Sequence, residues 1–167
     1  MVEVILGHRT DKPGLVESMR MITLRHFMQE DVEFIHNNLY PDMAESEIID
    51  MIAEWDSCAY RGRYFEMFAV ISGSRIVGHV SLYEHSQNVA STGIEILYSE
   101  RGKGFASEAM HALLEYASGK GYRLILNQVL KDNQASIKLH ERLGFESDGY
   151  VYRNQKNKEI LLYTKLL

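Results

Sequence analysis

The sequence predicts an α+β fold in which helices flank a mixed β-sheet, and two stretches carry that expectation. Phe65 to Ile71 and Arg75 to Tyr83 are rich in β-branched and aromatic residues on either side of Ser72-Gly73-Ser74, the signature of an antiparallel hairpin. Further on, the apolar run Ile94 to Tyr98 leads through Arg101-Gly102-Lys103-Gly104 into an amphipathic stretch, Phe105 to Ser118, and a second strand-like run follows from Arg123 to Leu130.

In chain order, Met21 to Phe27 reads as the first strand. Gln29-Glu30-Asp31 then introduces a helix whose apolar positions Val32, Ile35 and Leu39 recur at helical spacing. A second helix is predicted from Glu45 to Trp55, ahead of the hairpin. The helix from Phe105 to Ser118 is closed by Gly119, and a short helix from Gln134 to Leu143 is closed by Gly144, since glycine at a helix end adopts the left-handed turn at no steric cost. Strands near Phe145 to Tyr152 and Glu159 to Leu166 complete the sheet. Met1 to Ser18 carries one short apolar run, Val2 to Leu6, without the length or cleavage pattern of a signal peptide, and is read as an extension preceding a single domain, residues 19–167.

The chemistry gathers at Arg101-Gly102-Lys103-Gly104-Phe105-Ala106. Two glycines let the chain turn sharply and bring backbone N–H groups together, and the helix that follows adds its free amides and the positive end of its dipole, which suits phosphate oxygens. Arg101 and Lys103 add charge. Lys103 lies between the glycines with Phe105 and Ala106 behind them, so the Walker A pattern is not met, and the third glycine of a dinucleotide fingerprint is missing.

What the segment does match is Gln/Arg-x-x-Gly-x-Gly/Ala, which resembles the acyl-CoA pyrophosphate loop of the GNAT N-acetyltransferase superfamily. About thirty residues on, Asn133-Gln134-Ala135-Ser136-Ile137-Lys138-Leu139-His140-Glu141-Arg142-Leu143-Gly144-Phe145 resembles that superfamily's Asn-x-x-Ser helix ending in Leu-Gly-Phe. The resemblance covers roughly residues 20 to 167. Within it the hints divide. Gly104-Phe105-Ala106-Ser107-Glu108-Ala109 is similar to the ribosomal-protein branch, and Leu139-His140-Glu141 to the phosphinothricin-type branch.

The resemblance implies a mostly antiparallel sheet in which the strands at Ile94–Tyr98 and Arg123–Leu130 run parallel and splay apart, with acetyl-CoA as donor and its pantetheine arm in the gap. Ile96, Leu97 and Tyr98 would offer backbone groups to pantetheine, the amides of Arg101, Gly102, Lys103, Gly104, Phe105 and Ala106 would hold the pyrophosphate, and Asn133 and Ser136 would meet the cofactor. Asn133 is equally an N-cap whose side chain satisfies a free helix amide. Asn133, Ser136 and His140 fall at i, i+3 and i+7 on one face, with Ala135, Leu139 and Leu143 on the adjoining apolar face.

His140 stands where many family members place a tyrosine thought to protonate the departing thiolate, and an imidazole titrating near pH 6.5 is able to pass a proton either way; alternatively it only packs beside the thioethanol end of CoA. Glu95 is the nearest acidic candidate for a base acting on the amine, with a merely surface-exposed carboxylate as the competing reading and Glu84 and His85 in reserve. Tyr40, Trp55, Tyr60, Tyr64, Tyr150 and Tyr152 are candidates to line an acceptor slot.

Composition bounds these readings. The net charge of −5 over 167 residues argues against nucleic acid as the main partner, because phosphate backbones demand a basic face. No stretch approaches the roughly 20 apolar residues that span a bilayer, so no membrane partner is expected. One cysteine, Cys58, cannot form an internal disulfide, which fits a reducing cytoplasm. The expected activity is direct acetyl transfer, without a metal, to a small-molecule primary amine. A protein or peptide N-terminus is the alternative acceptor, and a CoA-binding regulatory module without catalysis the alternative class. Relatives often dimerise, which leaves a homodimer open.

Overall fold

The structure, a computed structural model, describes residues 21–167, so the predicted extension at residues 1–18 lies outside the described residues. In order, the elements are β1 (Thr23–His26), α1 (Val32–Asn38), α2 (Glu45–Asp56), β2 (Ala59–Tyr60), β3 (Arg63–Ser72), β4 (Arg75–Ser86), β5 (Val89–Ile96), α3 (Phe105–Gly119), β6 (Leu124–Leu130), α4 (Gln134–Arg142), β7 (Glu146–Arg153) and β8 (Glu159–Leu166). The strands lie in the order β1-β3-β4-β5-β6-β8-β7, with β2 paired to the start of β3. All neighbours are antiparallel except β5 and β6.

Period-two alternation decides which face each residue serves. Phe68, Val80 and Ile94 sit side by side across β3, β4 and β5 and join the main core with Met110 and Leu113 of α3. The next row, Ala69, His79 and Glu95, turns the other way, toward α1 and α2, where Ile35, Ile48 and Ile52 close a second core over Ala69. Ile137, Leu139 and Leu143 bring α4 against the main core. Local bonds fix the entries: Arg25 grips Asp31 through two hydrogen bonds of 2.6 and 2.9 Å, and Glu47 accepts the Ala44 N–H at 2.8 Å to start α2.

Several expectations need correction: Gly119 stays within α3, and it is Gly121, at φ 99°, that takes the left-handed turn after the helix. The strand before the glycine loop begins at Val89 and ends at Ile96, while Tyr98–Glu100 is a 3-10 turn. The small and polar run Ser91-Thr92-Gly93 hides that strand in the sequence, and pairing with β4 creates it. The two-residue β2 was not expected, and it folds back on β3 through Arg61 and Gly62, both at positive φ. Finally, the apolar face of α4 is rotated from the one read off the spacing. Ala135 is exposed, and His140 is buried at 4% exposure.

Candidate active site

The parallel ladder of β5 and β6 holds for two registers only, Val89 with Leu124 and Ala90 with Ile125. Beyond them the strands part. Asn127 enters the opening from β6, where its Oδ1 accepts the Thr92 N–H at 2.8 Å and its Nδ2 donates to Thr92 Oγ1 at 2.7 Å. Because the Thr92 amide points at β6, alternation aims the backbone groups of Ile94 and Ile96 into the same gap. Ile94 is a lining residue that the sequence reading did not single out.

At the far end of β5 the chain reaches the glycine loop. Gly102 and Gly104 have φ of 78° and 87°, the left-handed region where a side chain costs free energy, and this conformation delivers the chain into α3 with its first amides forward. Among the described residues no hydrogen bond takes up the N–H of Gly104, Phe105 or Ala106. Free amides at the start of a 15-residue helix form a nest for an anion, so the residues present fit a pyrophosphate.

The two cations of the loop are already engaged. Lys103 Nζ donates to Glu100 at 2.8 Å, and Arg75 donates to the same carboxylate at 2.9 Å. The Lys103 hydrogen bond and the Arg75 charge outweigh burial and hold Glu100 below the usual carboxylate range. Arg101 donates Nε–H to the Ile96 carbonyl at 3.1 Å, and its guanidinium lies 5.5 Å from the Tyr98 ring centre. Tyr98 itself is 86% exposed. Leu97 donates its N–H to Val77 O and accepts from Glu100 N–H, so of the Ile96–Tyr98 segment it is Ile96 that lies on the gap edge.

On α4, Asn133 performs the capping role, its Oδ1 accepting the Ser136 N–H at 3.1 Å. His140 lies under that turn. Its Nδ1 is 2.8 Å from the Ser136 carbonyl and its Nε2 is 3.0 Å from Asn127 Nδ2, while Phe145 and Tyr163 pack on the ring at 4.9 and 5.4 Å between centres. Burial pushes its pKa below the ordinary histidine value, opposed by the Ser136 hydrogen bond.

Glu95 occupies the other face of β5, with a side chain 60% exposed and 3.9 Å from His79 Nε2 on β4. His79 is a further residue missed in the sequence, since only the β4–β5 register brings it beside Glu95. Burial lowers its pKa, the Glu95 charge opposing, and among the described residues its buried Nδ1 has no hydrogen-bond partner. The reserve candidates are otherwise engaged. Glu84 accepts from Tyr122, whose own pKa is pushed up to about 12 by burial and that bond, and the His85 ring stands edge-on to Tyr83 at 5.2 Å between centres. Cys58 is half-buried.

The candidate acceptor aromatics do not gather into one slot. Tyr60 meets Phe65 and Tyr83, Trp55 packs on Phe27, Tyr64 bonds Lys120, and Tyr152 bonds Asp148. Among the described residues no cluster of His, Cys, Asp or Glu has metal-binding geometry, and no helix is long and apolar enough to cross a membrane.

His79 and His140 make stability pH-dependent in a defined direction. The unfolded chain binds these protons near pH 6.5, and burial makes the folded chain bind them less readily, so stability falls as pH drops below about 6.5. The melting temperature is expected to be lower at pH 5.5 than at pH 7.5, and His140→Gln to remove part of that fall. An equal or higher melting temperature at pH 5.5 would contradict the burial argument.

A glycine loop beside a splayed parallel pair is the arrangement that the resemblance implied. The family model described as Acetyltransferase (GNAT) domain matches residues 20–146. The chain belongs to that family.

An L-methionine sulfoximine/L-methionine sulfone acetyltransferase of Pseudomonas paraeruginosa is 28% identical over 102 residues, covering 58% of this chain. The chain thus spans about three-fifths (59%) of that relative's length. The fold matches a spermidine N-acetyltransferase from Vibrio cholerae in complex with CoA and spermine (TM-score 0.72, 23% identity, 87% of this chain and 95% of that one). It also matches RimL, a ribosomal L7/L12 α-N-protein acetyltransferase in complex with coenzyme A (TM-score 0.76, 18% identity, 88% and 94%).

Proposed function

We propose that this protein transfers the acetyl group of acetyl-CoA to a small primary amine by direct attack within a ternary complex. The observation that carries the reading is the gap between β5 and β6, which opens after Ala90 and Ile125 and leads to the amides of Gly104 to Ala106, unbonded among the described residues. Those amides would take the pyrophosphate, and the Ile94 and Ile96 backbone would take the pantetheine amides. Lys103 and Arg101 contribute through the field around the loop rather than as free ligands, since each already holds a partner. Relatives that act on methionine sulfoximine and spermidine favour a small amine; RimL represents the protein N-terminal alternative.

In the reaction the amine nitrogen attacks the thioester carbon, the C–S bond breaks, the amine loses a proton, and the thiolate leaves. Alkyl ammonium groups have pKa values near 10, so most of the acceptor must first be deprotonated. We assign the receipt of that proton, through water, to Glu95, which is exposed on the α1–α2 face of β5 and 3.9 Å from His79 Nε2. Glu95→Gln is expected to lower kcat by about 100-fold with little change in CoA affinity. Equal kcat in the variant would remove Glu95 from the mechanism.

The direct test is release of CoA thiol from acetyl-CoA with panels of amines, amino acids and peptides. Turnover with small amines above peptides is the expected result. Turnover confined to peptides would assign the acceptor to protein N-termini, and CoA binding with no turnover on any panel would leave a non-catalytic CoA-binding module.

A further inference from the structure

Where the β5–β6 ladder ends, the next rung is a side chain. We propose that Asn127 is a positioning residue which, with Thr92 and His140, wedges the two strands apart and fixes the gap through which the acetyl donor reaches the acceptor. This rests on the reading of the gap as the donor site.

Thr92 and Asn127 lie two residues beyond the last paired residues, Ala90 and Ile125, and so occupy the position of the next inward-facing rung. A main-chain bond there would set the strands about 4.8 Å apart. The carboxamide stands between them instead, taking the Thr92 N–H that the parting strands would otherwise leave orphaned, and it is only 3% exposed. Its orientation is forced, because Oδ1 must face the Thr92 amide and the two Nδ2 hydrogens therefore go to Thr92 Oγ1 and His140 Nε2.

The consequence reaches α4. Nε2 accepts, so the ring proton sits on Nδ1 and is donated to the Ser136 carbonyl. His140 is held as one neutral tautomer with no ring nitrogen free to give a proton. Its part is to tie Asn127, and through it β5 and β6, to the helix carrying Ser136.

The test uses the full-length protein and separates this role from proton donation. His140→Gln keeps an acceptor oxygen for Asn127, His140→Leu keeps none, and Asn127→Leu removes the wedge with little change in volume. The expected results are CoA dissociation constants and acetyl-CoA KM raised at least 10-fold by Asn127→Leu and His140→Leu, and held within about threefold by His140→Gln, whose kcat stays within about threefold too. A 100-fold loss of kcat in His140→Gln with CoA affinity intact would overturn the proposal in favour of proton donation. So would unchanged CoA affinity in a folded Asn127→Leu. If the leucine variants do not fold, ring-nitrogen NMR of the wild type decides: protonated Nδ1 and bare Nε2 from pH 6 to 8 support the wedge, and a protonated Nε2 overturns it. A wild type that binds no CoA would instead overturn the donor-site reading, and the wedge's role with it.

Discussion

Gly104→Val is expected to bind CoA at least 100-fold more weakly than the wild type while its melting temperature falls by only about 2–8 °C. Gly104 holds φ at 87°, and a Cβ built there meets nothing within 4 Å, so a side chain is excluded by backbone conformation and not by collision. Holding an L-residue in the left-handed region costs roughly 1–2 kcal/mol, most of all for a β-branched one. For a chain of this size each kcal/mol shifts the melting temperature by about 2–4 °C. The larger effect is on the ligand. If the loop relaxes, the amides of Gly104, Phe105 and Ala106 turn away from their common focus, and hydrogen bonds to a charged group are worth about 1.5–3 kcal/mol each. Losing two of them weakens binding by roughly 10²- to 10⁴-fold. Calorimetric titration with CoA reads this directly, and affinity within threefold of the wild type would show that the loop does not hold the pyrophosphate.

Phe68→Ala is the substitution expected to cost most stability, about 3–5 kcal/mol. Phe68 is 1% exposed at the centre of β3, stacked on His26 at 4.8 Å and meeting the edge of Tyr116 from α3 at 5.3 Å. Tyr116 also donates to buried Glu66 at 2.9 Å, so the cavity opens beside a bond joining α3 to the sheet, and those neighbours have little freedom to collapse into it. Urea denaturation measures the loss, with Tyr150→Ala as the comparison. Tyr150 is 69% exposed, and its removal is expected to change stability by no more than about 0.5 kcal/mol. A Phe68→Ala loss below 1 kcal/mol would mean that the core is packed differently.

What could be read in the sequence was what is local in the chain. The hairpin at Ser72-Gly73-Ser74, the loop at Gly102 to Ala106, the helix from Phe105 and the Asn133 cap are each fixed by residues within a turn or two of one another, and they lie where the pattern puts them. What escaped depends on residues far apart. The first half of β5 has no apolar alternation of its own and is held by β4 and by Asn127, a partner 35 residues beyond Thr92. His140 reads as polar by helical spacing, and its burial becomes intelligible only once Asn127 supplies a donor for its second nitrogen. His79 and Glu95 are 16 residues apart and meet through strand register alone.

The measurement closest to the central claim is thermal unfolding of the wild type with and without acetyl-CoA, CoA and ATP. A ligand at about 100 times its dissociation constant stabilises the native state by roughly 2.7 kcal/mol, which at 2–4 °C per kcal/mol raises the melting temperature by about 5–11 °C. A shift of that size with acetyl-CoA and CoA, and a smaller one with ATP, is the result expected if the β5–β6 gap and the loop at Gly102–Ala106 form a CoA site. No shift with either CoA species in folded protein, or a larger one with ATP, would contradict it.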